Sequence, residues 1–177
     1  MSKESVLAFR KLVAEMRFTQ KRYWETRDNN LLRKSLELEK RVDDIIMKAK
    51  GSDVPNDKNG LFFLKVAELR VASKEYFAAK KEYPPDKAKI GDLFEKVKML
   101  SFLVDKRLEH FQDEEDRKNG YVVQYHVMER YPRQKKAHSV FCSSEENLVK
   151  AELNDYLRRA SGGVMYFMGK TKKPIQK

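Results

Sequence analysis

The sequence predicts an α+β fold: two related antiparallel helical hairpins, arranged like a four-helix bundle, followed by a small ββαβ module. In the first 112 residues, apolar side chains recur at alternating steps of three and four, which is typical of amphipathic helices. Residues 13–24 (VAEMRFTQKRYW) return as residues 66–77 (VAELRVASKEYF), with six of the twelve identical. After residue 120 the pattern changes to stretches rich in β-branched and aromatic residues, which favour strands.

The first hairpin is expected over residues 1–50. Its first helix carries an apolar stripe at Phe9, Val13, Met16 and Tyr23. The polar stretch 28–30 (DNN) should end that helix, and the second helix follows with Leu31, Leu38, Val42 and Ile45 on one face. Gly51 is well placed to end the second helix. Because the turn between the two helices is so short, they must lie antiparallel.

A linker over residues 51–60 (GSDVPNDKNG) leads to the second hairpin, residues 61–112. Pro84 and Pro85 should end the third helix, and Asp86 could cap the fourth. The fourth helix carries a heptad-like seam at Ile90, Leu93, Val97, Leu100, Val104 and Phe111. A second echo is LEKRVDDI at 38–45 against VDKRLEHF at 104–111. Neither hairpin can bury its apolar stripe alone, so we expect the two to pack against each other.

Residues 121–169 are interpreted as the ββαβ module. YVVQYHVME (121–129) and AHSVFC (137–142) predict a β-hairpin around the turn RYPRQKK. Ser143 or Ser144 could cap the helix that follows, with Glu146 completing a capping box. The apolar face of this helix is Val149, Leu153, Tyr156 and Leu157. VMYFM (164–168) predicts a short third strand, and residues 170–177 predict a basic tail.

The composition favours a protein that folds without special chemistry and binds an anionic partner. With 177 residues the chain can bury a core, and its single cysteine, Cys142, excludes an internal disulfide. No apolar run approaches the roughly 20 residues that span a bilayer, so we expect a cytoplasmic protein without a membrane partner. The net charge is +11; Lys and Arg outnumber Asp and Glu by thirteen to eight in residues 1–50 and by eleven to five in residues 121–177. This excess favours nucleic acid as the partner.

The signature motifs of common enzyme classes are missing. The sequence contains no P-loop, no dinucleotide-binding fingerprint, no GxSxG and no HExxH. We therefore expect a non-enzymatic protein with no catalytic residue, no metal and no cofactor. One alternative stays open: if the hairpin turn centres near Gln134, His126 lies opposite Cys142, and the pair could serve as base and nucleophile. A small apolar role for Cys142 in a strand is the simpler interpretation.

Basic residues of the C-terminal third form the predicted nucleic-acid site. They are Arg130, Arg133, Lys135 and Lys136 around the hairpin turn, and Lys170, Lys172 and Lys173 in the tail. A two-stranded ribbon fits the major groove of DNA, and a flexible basic tail adds phosphate contacts. The alternative is that the turn and tail are lysine-rich only because they are solvated.

The helical part carries a second basic set and two aromatic pairs. The basic set is Arg17, Lys21, Arg22, Arg27, Arg33, Lys34, Lys40 and Arg41. It is equally well explained as a solvated face, and the repeated Arg17, Lys21, Arg70 and Lys74 are expected on a solvated rim. The pairs Tyr23–Trp24 and Tyr76–Phe77 could stack on bases, but closing the core of each hairpin is the favoured interpretation.

Two patterns in the first hairpin carry a resemblance. They are FxxLVxxMRxxQKxYxxTR, from Phe9 to Arg27, and LExxVD, from Leu38 to Asp43. Together they resemble short helical-hairpin proteins of unknown function carried by bacteriophages and bacterial mobile elements. The resemblance implies a setting, a phage or mobile-element protein in a bacterial cytoplasm or a virion. It implies no activity, ligand or residue role, and it does not cover the ββαβ module.

The function expected from these features is non-enzymatic binding. The basic β-hairpin turn and C-terminal tail would contact nucleic acid, DNA or RNA, while the helical hairpins serve as the scaffold. The alternative is a structural or protein-interaction protein, such as a virion component or an inhibitor of a host factor. Such a protein would form a homo-oligomer or bind a protein partner through its helices.

Overall fold

A computed structural model describes residues 3–49 and 54–174 and shows an α+β fold. The elements are α1 (Lys3–Thr26), α2 (Asn29–Lys48), α3 (Lys58–Ala79), α4 (Lys87–Lys118), β1 (Tyr121–Arg130), β2 (His138–Ser143), α5 (Glu146–Arg159) and β3 (Met165–Pro174). The chain divides into two compact units, Met1–His110 and Phe111–Lys177, so that α4 begins in the first unit and ends in the second.

The helical unit buries the central part of the apolar stripes that the sequence predicts, and the predicted stripe residues that are only half-buried are Tyr23, Leu31, Ile45, Tyr76, Ile90, Leu93 and Val97. Its core is made of Phe9, Leu12, Val13, Met16, Leu38, Val42, Phe62, Phe63, Val66, Leu69, Ala72, Leu100 and Val104. Phe9 lies against both Phe62 and Phe63, with ring centroids 6.2 and 4.9 Å apart, so α1 and α3 meet directly. Tyr76 and Phe94 join α3 to α4 at 5.9 Å. The two hairpins therefore share one core.

Aspartates begin three of these helices. Asp28 accepts a hydrogen bond from the Asn30 amide at 2.8 Å. Asp57 does the same for α3 with the amides of Asn59 and Gly60. The predicted cap Asp86 is confirmed, because its carboxylate accepts from the Lys89 amide at 3.0 Å.

Two helix boundaries differ from the sequence-based expectation. Asp57 caps α3 inside the expected linker, so residues 58–60 are helical. At the other end, α4 continues through the expected polar break to Lys118, because its Glu, Lys and Arg are good helix formers and its aspartates bind β3. Gly120, with φ of 79°, follows the end of the helix. Gly51, the predicted stop of α2, lies outside the described residues; α2 ends at Lys48.

The second unit contains a three-stranded antiparallel sheet in the order β2-β1-β3. The central strand β1 alternates buried and half-buried residues, which is the pattern of a strand covered on one face. The buried residues Val123, Tyr125 and Val127 pack with Val149 of α5. Leu153 and Tyr156 of α5 lie against the same cluster, whereas Leu157, predicted on this apolar face, is exposed.

The capping box predicted for α5 is wrong. The N-cap is Glu145, whose side chain makes no capping hydrogen bond. Ser143 instead accepts a hydrogen bond from the Glu145 amide at 3.1 Å, which forms a turn before the helix rather than a cap on it.

The third strand is longer than the sequence suggests. Residues 170–174, expected in a flexible tail, pair with β1 from Tyr125↔Lys170 to Tyr121↔Pro174. The sequence does not predict this part of the strand, because its lysine side chains match no strand pattern. Its backbone nevertheless pairs with β1. Residues 175–177 of the expected tail lie outside the described residues.

Candidate nucleic-acid interface

Strand alternation divides the predicted basic site between the two faces of the sheet. We call the face packed against α5 the inner face, marked on β1 by Val123, Tyr125 and Val127. The opposite, outer face carries His126 and Arg130 of β1. The register of β1 with β3 then places Lys170 and Lys172 on the inner face and Lys173 on the outer face. The predicted site is thus not one continuous patch.

Lys170 and Lys172 are used within the unit. Lys170 forms an ion pair with Asp113, and Lys172 Nζ lies 2.5 Å from Asp116 Oδ2. Both aspartate side chains are buried. The hydrogen bond from Lys172 is the main cause that holds the pKa of Asp116 below its usual range. These two lysines connect β3 to the end of α4 through ion pairs. Because their charges are already paired with aspartates, they are poor candidates for phosphate contacts.

Tyr125 adds a third group to this cluster. Its hydroxyl donates to Asp113 Oδ2 at 2.6 Å. Burial, followed by this hydrogen bond to a carboxylate, raises the pKa of Tyr125 above its ordinary value. Asp113 therefore accepts from a neutral phenol and pairs with the Lys170 ammonium, which satisfies both of its buried oxygens.

The remaining predicted cations lie at the outer face and the β1–β2 turn. Arg133, Lys135 and Lys136 are exposed in the turn, where Arg133 adopts a left-handed conformation with φ of 69°. Lys173 is exposed on β3, and Arg130 Nη2 lies 3.1 Å from the sulfur of Met165 across the strand pair. Arg133, Lys135, Lys136 and Lys173 form no ion pair with any described residue.

A buried carboxylate organises the base of the turn. Glu129, on the inner face, accepts a hydrogen bond from the Tyr166 hydroxyl at 2.7 Å and pairs with His138 Nε2 at 3.1 Å. The bond to Glu129 is the main cause that raises the pKa of Tyr166 to about 12. His138 in turn stacks on Tyr131, with ring centroids 6.0 Å apart. This cluster fixes both ends of the turn that presents Arg133.

The alternative Cys–His site is not assembled as a catalytic pair. The predicted register is confirmed, because His126 lies directly opposite Cys142. The imidazole, however, hydrogen-bonds the hydroxyls of Ser139 at 2.9 Å through Nδ1 and Thr171 at 2.7 Å through Nε2. Both ring nitrogens are thereby occupied, and His126 spans the sheet from β2 to β3. Cys142 is exposed, not the buried small residue that the sequence favoured.

Comparison with known proteins gives no relative. No family model, curated protein or solved structure matches this chain. Over residues 3–49 and 54–174, no helix has the length and apolarity needed to cross a bilayer. Within the same residues, no group of three or more His, Cys, Asp or Glu side chains is placed to hold a metal ion.

The prediction that Arg17 and Arg70 lie on a solvated rim is wrong. Arg70 is 7% exposed and binds Asp43 through Nε at 2.8 Å and Glu39 through Nη1 at 2.8 Å. Arg17 binds Asp105 through Nε at 2.9 Å and is also largely buried. These arginines lie at the edge of the apolar stripe, and their long side chains reach carboxylates on the facing helices.

A glutamine joins the two ion pairs. Gln20 accepts from Arg17 Nη1 at 2.7 Å and donates to Glu39 Oε1 at 2.7 Å. The exposed ammonium groups of Lys21 and Lys74 lie on Asp105 and Asp43 at the two ends. The network joins all four helices of the first unit. Its cations are paired with carboxylates of the same unit, so Arg17 and Lys21 are poor candidates for contacts with a ligand.

The interpretation of the aromatic pairs as core is wrong for one residue of each pair. Trp24 is 58% exposed and Phe77 is 51% exposed, while Tyr23 and Tyr76 are half-buried. Arg27 lies over the Trp24 ring at 4.4 Å. Each pair stands at a helix end, where the facing helices leave one ring uncovered.

Sequence reasoning missed Phe167 and Thr171 as members of the outer face. The sequence places Phe167 in a strand without a functional role, and Thr171 in the tail. The period-2 pattern was the available signal: once Tyr166 and Met168 are assigned to the core, Phe167 must point the other way. For Thr171 the sequence offered no strand signal.

Proposed function

We propose that this protein is a non-enzymatic nucleic-acid-binding protein that uses the basic turn and outer face of its second unit. The observation that carries the proposal is the division of charge. Lys170 and Lys172 are paired with Asp113 and Asp116, whereas Arg133, Lys135, Lys136 and Lys173 form no ion pair with the residues that the structure describes. Unpaired clustered cations are the usual means by which proteins contact phosphates.

The phosphate contacts are assigned to five residues. They are Arg130, Arg133, Lys135, Lys136 and Lys173. Arg130 is held at the end of β1 by its contact with Met165, and the turn that carries Arg133 is held at its ends by the cluster around Glu129. We propose a phage or mobile-element setting in bacteria from the resemblance of the first hairpin alone.

The test is a salt-dependent binding measurement. Fluorescence anisotropy with a labelled 20-base-pair duplex and a labelled 20-nucleotide single strand should give affinities that fall steeply with salt. Reversal of the turn, R133E/K135E/K136E, should weaken binding at least about 10-fold and lower the salt slope by roughly 3, near one unit per lost phosphate contact.

A matched control separates local contacts from net charge. The variant K81E/K87E/K118E changes the net charge equally at exposed positions, Lys81 in the turn after α3 and Lys87 and Lys118 at the two ends of α4. It should retain more of the affinity than the turn variant. If wild-type protein binds neither probe at low salt, or if both triple variants lose affinity equally, the proposal is contradicted.

A second candidate function is assembly through the helices. Met99, Phe102 and Leu103 are all exposed on one side of α4, with the i, i+3, i+4 spacing of a contact stripe. Exposed apolar stripes often mark protein interfaces. In light scattering, M99S/F102S should then reduce the mass of an oligomer while R133E/K135E/K136E leaves it unchanged. A wild-type monomer at all concentrations would exclude this candidate.

A further inference from the structure

The outer face of the sheet has a composition suited to an anionic ligand that carries flat rings. Glu129 is the sole acidic residue of the three strands, and it points to the inner face. The outer face carries the rings of His126 and Phe167, the amide of Gln124 and the cations Arg130 and Lys173. The strands thus place cations and rings together on the outer face, with no acidic side chain of their own there.

Phe167 is the exposed ring of this face. It is 39% exposed, although it lies in a strand whose neighbouring residues Tyr166 and Met168 pack into the core. It pairs with Met128, and the next outer-face position on β3 is Gly169, which has no side chain. The Met128 side chain fills the space where a Cβ of Gly169 would lie. Met128 therefore covers Gly169 beside Phe167, and the exposed part of the Phe167 ring is the surface that a planar group can contact.

His126 supplies a second ring that is already held in place. Its two nitrogens are bonded to Ser139 of β2 and Thr171 of β3. It lies opposite Gly169, on the diagonal from Phe167, within reach of one extended ligand. A side chain immobilised before binding loses little entropy when a base stacks on it.

The two outer-face cations lie at opposite ends of this row. Arg130 pairs with Met165, and Lys173 pairs with Val122. These positions are eight steps apart along β1, which at the rise of a strand is roughly 26 Å. The turn cations Arg133, Lys135 and Lys136 extend the path beyond Arg130.

The topology argues against the expected insertion of a two-stranded ribbon into the major groove. β1 is the central strand and is paired along its whole length with β3, so the hairpin is not a free ribbon. Three strands spaced about 4.8 Å apart, with α5 behind them, are wider than the ribbon that the roughly 12 Å major groove accepts. A single strand with unstacked bases has no such restriction.

We infer that the outer face binds single-stranded nucleic acid, with bases stacked on Phe167 and His126 and phosphates held by Arg130 and Lys173. The inference rests on the proposed function and narrows its ligand. Stacking on an aromatic side chain accepts any base, so this face binds without strong sequence preference. DNA and RNA share the chemistry used, and separate probes distinguish them.

The test compares Phe167 variants on single-stranded and duplex probes. Labelled 12-nucleotide oligothymidylate and oligouridylate and a labelled 20-base-pair duplex are titrated with the full chain. Phe167→Ala should weaken single-strand binding by about 5- to 150-fold, the loss of one stacked base, and change duplex binding by less than about 2-fold. Phe167→Tyr should restore single-strand binding because it keeps the ring.

The control is Leu157→Ala. Leu157 is 50% exposed on α5. Its replacement by alanine therefore removes a comparable exposed apolar side chain from the other side of the unit. It should change neither affinity. Ultraviolet cross-linking of wild-type protein to oligothymidylate, followed by mass spectrometry, should place the adduct on β3 and gives a readout that does not depend on how the variants fold.

The outcomes separate the two proposals. If Phe167→Ala binds single strands as wild type does while R133E/K135E/K136E loses binding, the outer face is not the stacking surface and the proposed function stands. Equal loss of duplex and single-strand binding in Phe167→Ala also overturns the inference. If the wild-type chain binds none of the three probes, the proposed function fails and this inference fails with it.

Discussion

Arg70 Nη1 lies 2.8 Å from Glu39 Oε2, so the third helix is ion-paired to the second. The same arginine binds Asp43. Its counterpart in the first repeat, Arg17, binds Asp105 of α4. Glu39 and Asp105 occupy matching positions in the repeated LEKR and VDKR sequences. Each hairpin therefore supplies the arginine for the other hairpin's carboxylate.

Removal of Arg70 should cost far more than removal of Lys74, although both bind Asp43. In Arg70→Ala, the largely buried carboxylates of Glu39 and Asp43 lose the guanidinium that pairs with both of them. This loss should lower the free energy of unfolding by about 3 kcal/mol. Lys74 is 60% exposed along its side chain, so Lys74→Ala should cost less than about 1 kcal/mol. Urea denaturation at pH 7 measures both. Equal losses would mean that the buried pair does not stabilise the unit.

Acid should destabilise the helical unit through Asp43 and Asp105. Burial alone would raise the pKa of each carboxyl. For Asp43 the hydrogen bonds and charges of Arg70 and Lys74 outweigh burial, and they hold its pKa below the ordinary range. Arg17 and Lys21 do the same for the pKa of Asp105. The folded state therefore binds fewer protons than the unfolded state. The resulting stability is present above the unfolded pKa near 3.9 and is lost as the pH falls through the lower folded values.

Urea unfolding between pH 7 and pH 2.5 tests this sign, because urea adds no ions that screen the pairs. Asp105→Asn should be less stable than wild type at pH 7 and should lose less stability on acidification. Asp92→Asn, an exposed change on the same helix, is the matched control and should follow the wild-type curve. An Asp105→Asn curve parallel to wild type would show that this carboxyl does not contribute.

Two lysines on opposite faces of β3, Lys170 and Lys173, should behave oppositely. Lys170→Ala removes the cation from buried Asp113 and should lower stability by about 1–3 kcal/mol. Lys173→Ala should leave the melting temperature unchanged, weaken single-strand binding and lower the salt slope on the single-stranded probe by roughly 0.7. Thermal melts and anisotropy titrations on the same samples compare the two. A binding loss in Lys170→Ala at unchanged stability would contradict this division.

Two helical glycines should respond with opposite signs to alanine. A Cβ at Gly60 would overlap the carbonyl oxygen of Pro55, a backbone atom that cannot turn aside. Gly60→Ala should therefore destabilise the protein by at least about 2 kcal/mol. At Gly91 a Cβ meets no atom within 4 Å, so Gly91→Ala should stabilise α4 by about 0.5–1 kcal/mol. Stabilisation by both would contradict the tight packing around Gly60.

Periodicity was sufficient to predict the helices, the buried Val13, Met16, Val66 and Leu69, and the opposition of His126 and Cys142. Periodicity did not predict the positions at which charged residues form internal ion pairs or belong to a strand. Arg70 and Lys172 look solvated in sequence because a pattern of apolar spacing cannot show a carboxylate brought from another helix. Periodicity did not predict the full length of β3 either, because its lysines give no strand signal. Only the pairing with β1 defines the strand.

Of the seven predicted site residues, the structure separates Lys170 and Lys172 from the other five. The sequence could not do so because Asp113 and Asp116 are more than fifty residues distant along the chain. Conversely, Phe167 was within reach of sequence reasoning through strand alternation. Thr171 was not, because its role depends on the hydrogen bond to His126.

Phe9 and Phe62 are the same position in the two repeats, and they touch. Equivalent positions meet each other at an axis of approximate two-fold symmetry. At this contact the helical unit has the pairing that a homodimer of a single hairpin would have. In a homodimer every substitution would occur in both halves, whereas in this single chain equivalent positions carry different residues, Trp24 and Phe77 or Arg27 and Lys80. A substitution on one side of the contact therefore leaves the other side unchanged.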